Sequence, residues 1–330
     1  MKAITLTSGK FDVSDIPDLQ VAPNEVLLEP LAVGLDGTDV ALLTGKWAAA
    51  DGLVIGHEIA ARVVKLDNEN ADLEIGELVS VEPHLYCGRC RNCCAGRPQL
   101  CSNKRTFGIH LNGGLCQRLV VPEKNCLSVG QLDDPIRIAM AEPLAVAIHA
   151  LDVVPIPCAA RVLIIGAGPI GLLIGSLVKS FPVTSLAIFD TNLSRRAGAG
   201  RLGAIVPDTS ESIQSGAFDV VFDAVGRSET LELALGCIAP GGAIGALGVG
   251  GKQDFGRINL WELFAKEIKI FGVRSGVHSQ ARALKMLPGL QLDLLGVTVY
   301  EASNVSQALA DIAQCRVGKA IVALDQFFDP

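Results

Sequence analysis

The chain has 330 residues and a formal charge of −7, with 49% apolar and 19% charged residues. This composition supports a large buried core and excludes an intrinsically disordered chain. The length predicts about two domains of roughly 150 residues each. The mild acidity and the aromatic content of 5% argue against a nucleic-acid partner. The amino-terminal residues lack the apolar stretch of a signal peptide, and we expect a cytoplasmic protein.

Two patterns of predicted elements follow one another along the chain. Short strands are predicted at 26–31 and 59–65, ahead of an irregular segment that leads into a cluster of cysteines. From about residue 143 strands alternate with helices, which predicts a parallel sheet covered by helices on both faces. The predicted strands of this second part lie at 162–165, 185–189, 219–222, 243–247 and 268–273. The last fifty residues contain predicted helices at 280–287 and 305–315 and a strand at 320–324.

An uncharged run from Val162 to Val178 resembles a membrane span. It falls short of the about 20 residues that a span needs, and glycines and a proline interrupt it. A buried parallel strand and the helix that packs on it are also apolar all round. We therefore expect no association with a membrane.

A glycine turn follows the strand that opens this run. Asp190 ends the next predicted strand about twenty residues on, as a dinucleotide-binding fingerprint requires. The first glycine permits a tight turn, the second lets the pyrophosphate approach the backbone, and the third allows close packing of helix on strand. The alternative is a glycine turn without a ligand. The predicted cofactor-binding residues of the turn are Gly166, Gly168, Pro169, Ile170 and Gly171.

The acid after the second strand bears on the choice of cofactor. Asp190 is placed to accept hydrogen bonds from the adenosine ribose, and its charge would repel a 2′-phosphate. This favours NAD over NADP, although Arg195 and Arg196 lie close enough in sequence to soften the repulsion. Removal of the Asp190 carboxylate should then relax the preference for NAD.

Five of the ten cysteines lie between Cys87 and Cys101. Two successive CxxC steps and a further cysteine can surround one ion, which predicts a closed structural zinc site. An iron–sulfur cluster, a redox pair and a nucleic-acid-binding ribbon are the alternatives. The predicted ligands are Cys87, Cys90, Cys93 and Cys101, and Cys94 is left as a bystander.

Three further polar segments stand in apolar surroundings. Each has an ordinary explanation: Asp36 as a turn residue, His57 as a buried core histidine, and Glu142 as a charge at a helix start. Their joint occurrence ahead of a cofactor fold favours a shared functional role.

With these motifs the chain resembles the zinc-dependent medium-chain alcohol and polyol dehydrogenases. The resemblance covers nearly the whole length in order, through GTD at 37–39, GHE at 56–58, the cysteine cluster, AEPLAV at 141–146 and GAGPIG at 166–171. In that family the first ligand of the catalytic zinc is usually a cysteine in a CGTD motif. Here the residue is Asp36, a variation that resembles some sugar dehydrogenases.

The resemblance implies roles for individual residues. Asp36, His57 and Glu142 would hold a catalytic zinc, with Glu58 adjacent and able to exchange with the catalytic water. Thr38 would bond the substrate oxygen and begin the proton path, but Ala41 stands where many relatives have a relay histidine. The residues implied to lie beside the nicotinamide are Leu247, Gly248, Val249, Val273 and Arg274.

The implied fold class is α/β. A GroES-like, partly open β-barrel domain of residues 1–143 and 277–330 would carry both metals, and a doubly wound Rossmann domain would occupy residues 144–276. The implied function is reversible oxidation of a secondary alcohol, a polyol or a sugar, by a homodimer or homotetramer that uses NAD. Two alternatives stay open: a zinc-free reductase of the same fold, and a zinc-ribbon protein that senses NAD without turnover.

Overall fold

The computed structural model describes residues 1–67, 72–248, 250, 254–324 and 327–328. The strands in this part of the chain are β1 (Lys2–Thr7), β2 (Lys10–Asp15), β3 (Glu25–Leu35), β4 (Leu53–Val54), β5 (Glu58–Leu66), β6 (Leu78–Val81), β7 (His84–Leu85), β8 (Arg105–Thr106), β9 (Leu119–Pro122), β10 (Cys126–Ser128), β11 (Arg161–Ile165), β12 (Ser185–Phe189), β13 (Phe218–Asp223), β14 (Ile238–Ala246), β15 (Lys269–Gly272), β16 (Val297–Glu301) and β17 (Lys319–Ala323). The α-helices are α1 (Gly37–Leu43), α2 (Arg91–Cys94), α3 (Pro135–Ile138), α4 (Ala141–Val153), α5 (Pro169–Val178), α6 (Leu193–Arg201), α7 (Ser228–Cys237), α8 (Leu260–Ala265), α9 (Gln280–Met286) and α10 (Val305–Ala313).

The first of two compact units comprises residues 1–142, 280–290 and 297–330. Its largest sheet has the order β10-β6-β5-β3-β17-β16, with β9 also paired to β3. The long strand β3 carries three neighbours, because β9 pairs with its first residues, β17 with its last residues, and β5 along the other side. The end of β3 at Leu35 is thereby held on both sides, which fixes the point where the chain turns into α1.

Apolar residues of β1, β3, β5, β6 and α10 form the core of this unit. A polar tie also joins two of its elements, since Gln280 at the start of α9 is only 1% exposed. Its side-chain amide donates to Ser80 Oγ at 2.8 Å and to the Val81 carbonyl at 2.9 Å, both in β6. A buried amide that is satisfied in this way anchors the returning segment to the sheet.

The second unit comprises residues 143–279 and 291–296. Its five strands are parallel and have the order β12-β11-β13-β14-β15, with helices α5, α6 and α7 in the connections. The predicted alternation of strands and helices is therefore confirmed. Strand β11 and helix α5 account for the uncharged run, because Val162, Leu163 and Ile164 have no exposed surface. None of the helices in the described residues is long and apolar enough to cross a membrane.

The division differs from the predicted one at residues 143 and 277–279, which belong to the second unit, and in one further short segment. Residues 291–296 were expected with the first domain, but they pack with the second unit. Arg201 in α6 donates to the Asp293 carbonyl at 3.0 Å. Gly198 in the same helix leaves room for the Leu294 carbonyl, which would lie 2.8 Å from a Cβ at residue 198. A glycine in a helix face allowed this approach, and nothing in the periodicity of residues 291–296 indicates it.

Candidate metal and nucleotide sites

The first site begins where β3 ends and α1 starts. Asp36 is the N-cap of α1, and its Oδ1 accepts hydrogen bonds from the backbone N–H groups of Thr38 at 2.8 Å and Asp39 at 3.4 Å. The Thr38 hydroxyl donates to Oδ2 of the same carboxylate at 3.2 Å. Capping therefore fixes the Asp36 side chain through one oxygen and leaves Oδ2 to face His57, whose Nε2 lies 3.9 Å away.

His57 and Glu58 enter the site from the turn that opens β5. Both are buried, with exposures of 5% and 1%. One ligand atom each from Asp36, His57 and Glu58 lie within 4.8 Å of one another. Two atoms that each lie about 2.0–2.2 Å from a shared zinc can be at most about 4.4 Å apart, so the Asp36–His57 distance admits a common ion.

The chemistry of the donor set also favours a metal. His57 turns Nε2 toward Asp36 Oδ2, while Nδ1, on the other side of the ring, is buried without a hydrogen-bond partner in the described part of the chain. The donor set around it consists of carboxylate oxygens and one imidazole, and zinc accepts both kinds of ligand. The residues present thus fit a divalent cation.

Asp39 joins the two segments that carry these side chains, a role that sequence reasoning missed. It has no exposed surface. One carboxylate oxygen accepts from the backbone N–H of Asp36 at 3.0 Å, and the other accepts from that of Gly56 at 3.3 Å. This arrangement fixes Asp36 relative to the residue before His57. The GTD motif was the available signal, but the partner at Gly56 is 17 residues away.

Glu142 lies at the start of α4 and is 8% exposed. It does not belong to the group of Asp36, His57 and Glu58, whose ligand atoms lie within 4.8 Å of one another. The same charges nevertheless act on its carboxyl group. Burial, opposed by His57 and Lys319 and assisted by Glu58 and Asp36, raises the pKa of Glu142 to about 7. The structure therefore brings Glu142 to the neighbourhood of the cluster, less closely than Glu58.

The carboxyl groups of the cluster and His57 shift one another's pKa values. Burial raises the pKa of Asp39 to about 7, with Asp36 and Glu58 adding to the rise and His57 opposing it. Burial disfavours a charged His57, yet the carboxylates of Asp36 and Glu142, followed by Asp39 and Glu58, raise its pKa to about 9. A bound cation would relieve this repulsion by favouring the ionised carboxylates and a neutral imidazole.

Lys319 is the buried cation that sequence reasoning overlooked. It opens β17, is 2% exposed, and forms an ion pair with Glu58, which is also buried. Its ammonium donates in addition to the Leu35 carbonyl at 3.0 Å. The available signal was a charge at the head of an apolar strand, but the partner lies 261 residues earlier in the chain.

Gly34 makes room for the Glu58 carboxylate. A methyl group at residue 34 would overlap the carboxylate oxygen Oε2 of Glu58. The two residues are register partners in the β3–β5 pairing. A glycine near the end of β3 is therefore required for the Glu58 side chain to occupy this position.

The cysteine cluster forms a compact lobe around α2. The ligand sulfurs lie within 4.8 Å of one another, and Cys90 and Cys93 are 3.5 Å apart. Cys87 and Cys101 are separated by 3.6 Å. A tetrahedral zinc with bonds of about 2.3 Å places its sulfurs about 3.8 Å apart, so the four thiols fit one ion. Cys94 is exposed and stands outside the group.

The glycine turn lies between β11 and α5. Gly166 has a φ of +102°, a conformation that glycine adopts at little cost. A side chain at Gly171 would overlap the Gly166 carbonyl, so only a glycine allows the helix to approach this closely. Gly168 is the N-cap of α5 and Pro169 its first residue, with Ile170 next. The helix start thus leaves free backbone N–H groups for an anion.

The residues expected beside a nicotinamide lie at the carboxyl ends of β14 and β15. The backbone N–H groups of Leu247 and Gly248 both donate to the Asp223 carbonyl at 2.9 Å. Val273 donates to the Ala246 carbonyl at 2.9 Å, and Arg274 after it is exposed. The structure therefore brings four of the five expected residues to one edge of the sheet, where ligands of such sheets bind. Val249 lies outside the described residues.

Comparison with known proteins adds two family matches. Residues 22–131 match the family described as the alcohol dehydrogenase GroES-like domain. Residues 169–288 match the family described as zinc-binding dehydrogenase. The first matched region contains Asp36, His57 and the cysteine cluster, and the second begins at Pro169, the first residue of α5.

Similar proteins extend the match to almost the whole chain. The L-threonine 3-dehydrogenase of Saccharopolyspora erythraea is 32% identical, over 98% of this chain and 98% of that protein. The D-altritol 5-dehydrogenase of Agrobacterium fabrum is 30% identical, over 84% of this chain and 85% of that protein. A solved structure from Sinorhizobium meliloti 1021, described as a zinc-binding dehydrogenase bound to NADP, is 27% identical with a TM-score of 0.91, and the match covers 98% of this chain and 99% of that one.

Replacement of Lys319 by methionine tests whether its positive charge stabilises the cluster of Asp36, His57 and Glu58. Without its partner the buried Glu58 carboxylate is uncompensated, so we expect the Lys319→Met variant to lose about 3–5 kcal/mol of unfolding free energy when metal-free. A bound divalent cation replaces part of the missing positive charge, so the loss should shrink when the protein is loaded with zinc.

The measurement is denaturant unfolding of both forms with and without zinc. Lys285→Met, which alters an exposed lysine of α9, is the matched control and should change little. Equal stability of Lys319→Met and the parent protein in both states would contradict the assigned role of Lys319.

Proposed function

The chain belongs to the zinc-dependent alcohol dehydrogenases, and from this premise we propose that it oxidises a secondary alcohol, a polyol or sugar, with NAD as the hydride acceptor. Membership follows from the two family matches and from a relative 32% identical over 98% of the chain. The family and the two-part α/β fold class predicted from the motifs are thereby confirmed. The chain is an NAD(P)-dependent oxidoreductase of alcohols that uses zinc.

The juxtaposition of Asp36 and His57 within a buried acidic cluster is the observation that carries the proposal. We assign Asp36, His57 and Glu142 as ligands of the catalytic zinc. Glu58 lies beside them and forms an ion pair with Lys319. Zinc, when bound there, stabilises the negative charge that develops on the substrate oxygen, and NAD accepts the hydride. Because no thiolate takes part, this site is harder than the usual site of the family.

The chain's own residues handle the proton and the substrate oxygen. The Thr38 hydroxyl lies 3.2 Å from Asp36 Oδ2 and is free to turn toward a substrate oxygen next to that carboxylate. We assign it the first step of proton removal. With Ala41 in place of a relay histidine, the onward path runs through water or Glu58.

The cysteine lobe has a structural role in this proposal. Four thiolates fill a tetrahedral zinc completely and leave no position for a substrate. The helix α2 inside the lobe has only four residues and none of them is buried, so the lobe lacks an apolar core of its own. The zinc would replace that core.

The choice of NAD and the class of substrate rest on separate supports. Asp190 stands at the end of β12, where its charge disfavours the 2′-phosphate of NADP. A polyol or sugar is supported by a relative named for altritol and by the carboxylate in place of a cysteine at residue 36. The residues assigned to the nicotinamide are Leu247, Gly248, Val249, Val273 and Arg274, and Arg195 is assigned to the adenosine end.

An exposed apolar face supports the expected homodimer. In α8, Leu260, Trp261 and Phe264 are 74%, 71% and 74% exposed, and the two aromatic rings lie 5.9 Å apart. Strand β15 ends the parallel sheet and has one strand neighbour among the described residues. Apolar surface beside a free strand edge suits a second copy, whose own β15 can pair with it. We propose that this face joins two copies, on which a tetramer would also be built.

A substitution series at Asp36 tests the proposed function. Asp36→Asn keeps an oxygen to cap α1 but loses the charge that binds the metal, so we expect a folded protein with roughly a hundredfold or greater loss of turnover. Alcohol-dependent reduction of NAD is measured on a panel of polyols, sugars, threonine and simple alcohols, with metal content per chain determined by mass spectrometry.

The same measurements separate the alternatives. One zinc should remain in Asp36→Asn, held by the cysteine lobe. A parent protein that binds NADH and one zinc but turns over no alcohol would instead indicate an NAD-sensing protein. An active Asp36→Asn enzyme with a single zinc would refute the catalytic assignment.

Removal of metal by a chelator should proceed in two steps. The site of carboxylates and one imidazole should lose its ion before the four-thiolate lobe, because thiolates hold zinc more strongly. The measurement is the zinc content of dialysed samples against time in EDTA, with activity followed in parallel. Two zincs lost at equal rates would count against the assignment of the ligands.

The dimer face is tested by replacing its exposed aromatic residues with charged ones. Trp261→Glu with Phe264→Lys should shift the protein to monomers in sedimentation velocity at micromolar concentration. Ile75→Lys is the matched control, since Ile75 is 71% exposed in the other unit and should leave assembly unchanged. A parent protein that is monomeric, or a double variant that assembles like the parent, would overturn the proposed face.

A further inference from the structure

The carboxylate of Asp190 is engaged by backbone on both of its oxygens. Oδ2 accepts the N–H of Ala167 at 2.8 Å, and Oδ1 accepts the N–H of Asn192 at 2.8 Å. The residue is 9% exposed. Hydrogen bonds to an ionised acceptor are shorter and stronger than those between neutral groups. Asp190 thus links the turn after β11 to the turn after β12.

Ala167 is the middle residue between Gly166 and Gly168 of the phosphate-binding turn. The neighbouring N–H of Gly166 donates to the Phe189 carbonyl at 2.7 Å. Two consecutive amides of the turn are therefore fastened to the end of β12, one to main chain and one to the Asp190 side chain. The N-cap of α5 is Gly168, which has no side chain to cap the helix, so Asp190 supplies the side-chain tie at this turn.

A turn of this kind has to be held open for its ligand. Gly166 adopts a φ of +102°, and glycines lose more backbone entropy on ordering than other residues. If the turn is ordered before the nucleotide arrives, this cost does not reduce the affinity. A single carboxylate that binds one amide in the turn and one outside it provides that order.

We propose that Asp190 is a positioning residue of the phosphate-binding turn, so that its loss weakens the binding of NAD and NADP alike. This goes beyond a role in which the carboxylate only rejects the 2′-phosphate. The identity of the ligand rests on the proposed function, whereas the hydrogen bonds from Ala167 and Asn192 to Asp190 do not depend on it. The ratio of the two affinities still moves toward NADP when the charge is removed, but neither cofactor binds better than to the parent protein.

Arg195 places a positive charge beside the phosphate-binding turn. Its Nη1 lies 3.8 Å from the position of a Cβ on Gly168, and its Nε is buried without a hydrogen-bond partner in the described residues. A positive group already faces the turn where a nucleotide phosphate would lie. In this proposal Arg195 can pair with a phosphate of either dinucleotide only when the turn is ordered, and that order depends on Asp190.

The experiment compares Asp190→Asn and Asp190→Ala with the full-length, zinc-loaded parent protein. Asparagine retains one acceptor oxygen and alanine none, so the effects should be graded. Hydrogen–deuterium exchange of the nucleotide-free protein is read in peptides that cover residues 165–172. Dissociation constants for NADH and NADPH are measured by fluorescence. Asp219→Asn is the matched control, because Asp219 pairs with Arg161 at the opposite end of the same parallel sheet.

We expect faster exchange at residues 165–172 and weaker binding of both dinucleotides. The affinity for NADH should fall about tenfold in Asp190→Asn and further in Asp190→Ala, as loss of one or two charge-assisted hydrogen bonds implies, and the affinity for NADPH should fall less. Asp219→Asn should change neither quantity. Unchanged exchange in both Asp190 variants, or NADPH bound more tightly than by the parent, would overturn the inference. A parent protein that binds no NADH would contradict the proposed function, while the exchange data would still decide the role of Asp190.

Discussion

The first unit depends on how the charge around one buried histidine is compensated. Asp36, Asp39, Glu58 and Glu142 all act on His57, and within the described residues the fixed cation that reaches them is Lys319. Four carboxyl groups face one lysine and one imidazole, and we expect a bound divalent cation to complete the charge balance by favouring the ionised carboxylates and a neutral imidazole. The requirement is met from several parts of the chain: the end of β3, the turn before β5, the start of α4 and the head of β17. The sheet order that brings these together is thus a condition of the chemistry.

In the second unit, backbone amides rather than charged side chains form the candidate nucleotide site. The strands β11 and β12 are apolar and largely buried, and the groups offered to a ligand at the carboxyl end of β11 are backbone amides of the turn and helix start. Carboxylates here serve the backbone: Asp190 binds two amides, and Asp223 binds the N–H groups of Val225 and Gly226. Asp190 and Asp223 therefore shape turns, whereas the acids of the first unit gather around His57 and Lys319.

Local patterns were enough to predict the second unit, and less was predictable in the first. Alternating strands and helices between residues 161 and 272 depend on short-range periodicity, and the strand at Ser185–Phe189 was located to the residue. The pairing of Lys319 with Glu58 and the tie between Asp39 and Gly56 depend on which strands become neighbours, which periodicity does not encode. Likewise the segment 291–296 joins the second unit through glycine-permitted packing on α6. Polar residues could be singled out from the sequence, but their partners required the topology.

The Asp36 carboxylate has two roles, because it caps the amino terminus of helix α1 and also faces His57. In relatives with a cysteine at this position the thiolate is a softer and stronger zinc ligand, but sulfur caps a helix less well than a carboxylate. Exchange between the two residues during evolution would therefore move metal retention and helix stability in opposite directions. With aspartate at this position, we expect the site to keep its shape when the ion is lost and its occupancy to follow the supply of metal.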